Sequence, residues 1–148
     1  MKKIFRLLII LLVTTTVSCQ SSSDFKKVDE SELNQEDIES VRQLSEKILT
    51  AQKNGGHYNL SENEAIKEMV DGLNETVQKQ SYQQIKNLFG DYQNLKFESL
   101  MESEKGRKLK IYRFKGFFES ESDTEIRTVV NDEGKLAGFF VKPWKDGL

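Results

Sequence analysis

Beyond residue 33 the apolar side chains first recur every three or four positions and later every second position, a switch that predicts helices followed by strands. Ile38, Val41, Leu44, Ile48 and Leu49 form one helical stripe. Asn34 is placed to cap that helix, Glu36, Asp37 and Glu39 fill its first turns where the helix dipole favours acids, and Asn54-Gly55-Gly56 ends it after Lys53. A second helix is expected after Ser61, because Ser61 and Glu64 have capping-box spacing and Ala65, Ile66, Met69, Val70 and Leu73 make an apolar face. Asn74 starts a third, running to Phe89 with Val77, Ser81, Tyr82, Ile85, Leu88 and Phe89 inward and Gly90 closing it.

After Gly90 the chain turns to β-branched and aromatic residues. Leu95, Phe97, Ser99 and Met101 alternate with Lys96, Glu98, Leu100 and Glu102, the pattern of a half-buried strand. Lys108 to Phe118, Thr124 to Val130 and Lys135 to Lys142 read as three more, separated by polar turns. Asn131-Asp132-Glu133-Gly134 is a hairpin signal, and Pro143 stops the last ladder because it lacks an N–H. Lys115 and Gly116 in mid-strand suggest a bend or bulge. Helices ahead of an antiparallel meander predict an α+β domain with N-terminal helices on a four-stranded sheet, spanning residues 33–148.

The first residues follow a different logic. Lys2, Lys3 and Arg6 precede a mostly apolar run from Leu7 to Val17, and Thr16-Val17-Ser18 leads into Cys19, the only cysteine. The run is short for a span, which takes about 20 apolar residues, and suits the hydrophobic region of an export signal over residues 1–18. Its end resembles the lipobox of bacterial lipoproteins, in which the cysteine thiol accepts a diacylglyceryl group and becomes the mature N-terminus. That resemblance implies an exported protein held at the cell membrane or outer membrane by lipid at Cys19. The other reading is an ordinary cleaved signal followed by an incidental thiol. Residues 19–32 are expected to act as the lipidated cysteine and a flexible tether, with Gln20 to Asp24 polar and serine-rich.

Charge and inventory narrow the chemistry. The chain has 22 basic and 24 acidic residues. Removing residues 1–18 takes away Lys2, Lys3 and Arg6 and leaves 19 against 24, a net charge of −5. Such a balance lacks the basic footprint of nucleic-acid binding and gains nothing from anionic lipid headgroups. The only histidine, His57, sits between Gly56 and Tyr58 in a loop, so neither a zinc site nor a cysteine–histidine pair can be assembled in the usual way. There is no phosphate-cradling glycine motif or nucleophile elbow, and Asp132-Glu133-Gly134 lacks the alternating carboxylates of a calcium loop. No catalytic residue, metal site or cofactor is assigned. Glu119, Glu121, Asp123 and Glu125 form an acidic run read as solvated.

The aromatic strands carry the remaining suggestion. Tyr112, Phe114, Phe118, Phe139, Phe140 and Trp144 fall on neighbouring strands and on the segment after them. They are either simply the core or the lining of an apolar pocket between sheet and helices. In the second case the candidate ligand residues are Tyr112, Phe114, Phe139 and Trp144, with Arg113 and Arg127 orienting an anionic ligand. Trp144 is placed to clip the C-terminal segment onto the body.

Leu88-Phe89-Gly90-Asp91-Tyr92, Tyr112 to Phe118, Glu125 to Asn131, and Asp132-Glu133-Gly134-Lys135-Leu136-Ala137-Gly138-Phe139-Phe140 ending at Pro143-Trp144 also form a recognisable pattern. It resembles a bacterial domain family of unknown function, found alone on exported proteins or lipoproteins and ahead of α/β-hydrolase domains, whose last strand reads dGkIaGf.f.P. The resemblance spans roughly residues 62–145 and implies a cystatin-like roll, similar to half of a nuclear-transport-factor-type cone. It brings no catalytic residues, and no hydrolase domain follows in this chain. The expected function is a lipid-anchored, non-catalytic envelope domain that binds a protein or small molecule. The alternatives are a dimerising accessory subunit and a small carboxylate-based hydrolase. If Cys19 carries the anchor, Cys19→Ala should release the protein from washed membranes; unchanged membrane retention after efficient signal processing would refute lipidation.

Overall fold

The structure, a computed structural model, describes residues 24–146. The signal segment, Cys19 and the first residues of the tether lie outside the described residues. Strand β1 (Phe25–Lys27) is followed by a 3-10 turn at Glu30–Glu32, then α1 (Gln35–Lys53), α2 (Lys67–Gly72) and α3 (Glu75–Phe89). Strands β2 (Tyr92–Ser103), β3 (Leu109–Phe118), β4 (Thr124–Asn131) and β5 (Leu136–Pro143) complete the chain. The sheet is antiparallel with order β1-β2-β3-β4-β5, and the N-terminal helices pack on it.

The α+β expectation holds, with five strands in place of four. The extra strand comes from the stretch expected to be tether. Phe25, Lys26 and Lys27 pair with Ser103, Glu102 and Met101, and Val28 N–H donates to Leu100 at 2.9 Å. Three residues with two lysines carry no strand periodicity of their own. The exposed edge of β2 supplies their hydrogen-bond partners, and tertiary pairing overrides local composition.

Helix α1 starts where the cap is expected: Asn34 Oδ1 accepts from the N–H groups of Glu36 and Asp37. Its stripe buries Ile38, Val41, Ile48 and Leu49. Ser45 is on the same face and fully buried; its hydroxyl donates to Val41 O and lies 2.7 Å from Thr128 Oγ1 of β4. Tyr82 and Phe89 of α3, Tyr92, Leu95 and Leu100 of β2, and Tyr112, Phe114 and Phe118 of β3 join Ile126 and Val130 in the main core. A second cluster, Ile48, Leu60, Ala65 and Leu136, extends that core under α2.

The second helix begins later than expected. Only half of the capping box forms: Ser61 N–H and Oγ both donate to Glu64 Oε2, while Glu64 N–H donates to the Ser61 backbone carbonyl and not to its hydroxyl. The next residues then turn to the sheet. Ala65 makes a parallel bridge to Leu136, Leu136 N–H donates to Glu64 O, and Ile66 N–H donates to Leu136 O. These bonds to β5 hold Ala65 and Ile66 extended after the turn at Glu64, so α2 is a short helix from Lys67.

Helix α3 runs as expected, but its inward face is rotated. Val77 and Leu88 are exposed, and Gln78 is fully buried in their stead. Gln78 Nε2 donates to the carbonyls of Tyr58 and Leu73, and its Oε1 accepts from Tyr58 N–H at 2.9 Å. One amide therefore satisfies backbone groups of the α1–α2 loop and of the end of α2 that would otherwise be buried unpaired. At the other end Gly90 takes φ 79°, and a Cβ there would meet Glu119 Cβ at 2.7 Å. Glu119 closes this junction, its carboxylate accepting from Asp91 N–H.

No bulge occurs at Gly116, which pairs in unbroken register with Leu95 and Thr124. The glycine makes room for side chains, since a Cβ would lie 2.9 Å from both Ile126 Cδ1 and Phe118 Cε2. The register shifts fall elsewhere, between Tyr92 and Asn94, between Phe97 and Ser99, and between Val129 and Val130. Gln78→Ala should destabilise the fold by about 3 kcal/mol in urea titration, whereas Leu88→Ala should change it by under about 0.5 kcal/mol.

Candidate functional site

The two-residue period of β3 and β4 divides their side chains between two faces. Tyr112, Phe114 and Phe118, with Ile126, Thr128 and Val130, face the helices. Ile111, Arg113, Lys115 and Phe117, with Glu125, Arg127 and Val129, point the other way. The six residues expected to line a pocket are therefore separated by the sheet. Tyr112 and Phe114 are buried on the helix side, and Phe139, half-buried, packs against both core clusters there. Arg113, Arg127 and Trp144 belong to the outer side.

On that outer side the register assembles a charged cluster. Arg113 opposes Arg127 across β3 and β4, and Glu125 opposes Lys142 across β4 and β5. Glu125 is completely buried, which removes it from the solvated run in which its sequence neighbours suggested it belongs. Its Oε1 accepts from Arg113 Nε and Arg127 Nε, both at 2.9 Å, and its Oε2 accepts from Arg113 Nη2 at 3.2 Å. Lys142 Nζ lies 3.7 Å from Oε2. One carboxylate thus faces three cations, and Arg127 Nη2 is buried without a hydrogen-bond partner among the described residues.

Burial by itself would raise the pKa of Glu125. The hydrogen bonds from Arg113 and Arg127, and then their charges, outweigh it and hold the carboxyl below its ordinary value of 4.5. Lys142 moves the opposite way for a cation. Desolvation lowers its pKa, the neighbouring arginines and Lys145 add to that, and only Glu125 opposes it. Burial is the largest influence on both groups; the arginines overcome it at Glu125 and add to it at Lys142.

The C-terminal segment straps this cluster down. Trp144 N–H donates to Asp123 O at 2.9 Å, and the Arg113 guanidinium stacks 4.6 Å from the Trp144 ring. Arg113 Nη2 also donates to Lys145 O at 2.7 Å. The expected clip exists, and its anchor is an arginine.

Around the cluster the outer face is mixed. Lys96 opposes Lys115 across β2 and β3, and Lys115 pairs with Asp123 at 2.7 Å. Lys96, Arg113, Lys115, Arg127 and Lys142 stand against Glu98, Asp123 and Glu125. The strap adds one charge of each sign, Lys145 and Asp146, and Asp146 Oδ1 accepts from Trp144 Nε1 at 3.2 Å. Phe140 is 54% exposed and Phe117 39% exposed on the same face.

The cluster was missed in sequence because Glu125 looked like one acid among several. The available signal was its spacing: Glu125 and Arg127 alternate with Ile126 and Thr128, so a buried strand puts them side by side. His57 remains in its loop, 3.8 Å from Glu75 through Nδ1. Among the described residues no group of three His, Cys, Asp or Glu is placed to hold a metal ion, and no helix is long and apolar enough to cross a membrane. The chain matches no family model, no curated protein and no solved structure.

Glu125→Gln should cost about 3 kcal/mol or more at pH 7, because three buried or half-buried cations lose their counter-charge. The depressed pKa of Glu125 contributes stability that is fully present above pH 4.5 and is lost as pH falls through the folded value. Denaturant titrations from pH 7 to pH 3 should therefore show a shallower acid limb in the variant than in the parent.

Proposed function

We propose that this chain is a lipid-anchored, non-catalytic protein of the bacterial envelope, and that its domain, a cystatin-like roll, binds a protein partner through the outer face of its sheet. The observation that carries the proposal is the asymmetry of the sheet. One face is filled by three helices, while the other leaves Phe140 and Phe117 in solvent beside a buried ion cluster held by a C-terminal strap. Exposed aromatics next to arginine are the composition of a contact surface.

The non-catalytic reading rests on how the carboxylates are used. A general base needs a carboxylate free to take a proton near neutral pH. Glu125 is held ionised by two guanidinium groups and is sealed from solvent, so it serves as a counter-ion. Roll architecture is supported by the long α1 crossing a meander with several register shifts, which curve a sheet. The anchor is supported by Cys19 behind its export signal. Self-association through the same face is the second reading, favoured by the same exposed phenylalanines.

A photo-crosslinking amino acid at position 140 of the full chain, expressed in its host, should give an adduct heavier than the chain, and one at position 88 on the helix side should not. A mass equal to two chains would establish the second reading. Absence of any adduct at 140, or equal yield at 88, would overturn contact through the outer face.

A further inference from the structure

Resting on that reading, we infer that the partner is acidic: the outer face docks a protein segment that presents carboxylates beside an apolar side chain. The charge distribution argues for this. The described residues carry a net negative charge, yet on this face Lys96, Arg113, Lys115, Arg127, Lys142 and Lys145 outnumber Glu98, Asp123, Glu125 and Asp146. The imbalance is built into the fold, because its centre is not a set of freely moving lysines. Arg113 is 6% exposed, and both guanidinium groups are fixed by Glu125. Arg127 Nη2 is buried with no hydrogen-bond acceptor among the described residues, so the cluster holds a donor that an added carboxylate could satisfy.

Complementarity then selects among occupants. A second copy would bring the same positive face against this one, and like charges in apposition oppose docking. An anionic membrane rewards cations that project freely into the headgroups. Here Lys96 alone of these strand lysines projects freely, at 72% exposure, while Lys115 and Lys142 are only 37% and 36% exposed in their side chains and already lean on Asp123 and Glu125. A shaped acidic surface meets both demands. It adds counter-charge above the cluster, and an apolar side chain on it covers Phe140, which leans over Gly138 and leaves its ring open.

The molecule carries its own reporter. Trp144 is the only tryptophan, and it lies on the Arg113 guanidinium at the centre of the face. The full chain in neutral phosphatidylcholine nanodiscs is titrated with a peptide of alternating Glu and Leu, and separately with its Gln-and-Leu counterpart, while Trp144 emission is followed. The Glu peptide should bind about tenfold more tightly than the Gln peptide, and Lys142→Gln should remove most of that difference while Lys79→Gln on α3 leaves it. Equal binding of the two peptides, or no change in emission with either, overturns the proposal. So does an emission change that needs only anionic phosphatidylglycerol in the disc, which would assign the face to lipid. The crosslink at position 140 keeps the two levels apart. An adduct with a protein whose attached segment is not acidic refutes the acidic partner and leaves docking at this face standing; no adduct at all refutes both.

Discussion

The two-residue period of β3 and β4 is the constraint on which the rest depends. Each strand must serve two environments at once, and every odd–even assignment is fixed by the pairing of Arg113 with Arg127 and of Phe114 with Ile126. Slipping one strand by a residue would turn Glu125 and Arg127 into the helix-side core and expel Ile126 and Thr128. The apolar face and the ion cluster therefore enforce the same register from opposite sides. Glu125 strengthens this: a buried carboxylate is tolerable only beside the two arginines, so it rejects alternatives that the apolar residues alone would resist less strongly.

From that register the helical layer follows. Phe114 and Ile126, completely buried, provide a floor for α1 and α3, and Ser45 and Thr128 meet across the layers by a hydroxyl pair that sets where α1 sits along β4. Gln78 then ties the irregular stretch between α1 and α3 to α3 itself. Polar residues at these points position the layers, while aliphatic and aromatic area supplies the drive.

The periodic elements were legible because their signal is local and repeated. Asn34 and Asn74 cap α1 and α3 as their side chains suggest, Gly90 closes α3, and Pro143 is the last residue of β5. What was not legible depends on distant partners. Phe25–Lys27 becomes a strand only because β2 has an open edge, and Ala65 and Ile66 stay extended only because Leu136 offers a backbone to pair with. The face of α3 was misjudged for a chemical reason: Gln78 is inward because buried carbonyls need donors, a demand that hydrophobic counting does not see. The same limit hid Glu125, whose partners Arg113 and Lys142 are 12 and 17 positions away. Trp144 was recognised as a clip, but its partner could not be named before the strands were aligned.

The margins of the sheet carry a further consequence. On one side β1 is only three residues long and includes Lys26 and Lys27. On the other, the start of β5 is occupied by Ala65, and its end carries Lys142 and Pro143. A short charged strand and a blocked or proline-ended one are poor templates for another chain to extend. On the proposed lipid anchor, copies of this protein crowded together in two dimensions would meet edge to edge far more often than in dilute solution. Margins of this kind let such a layer stay dense without growing into fibres.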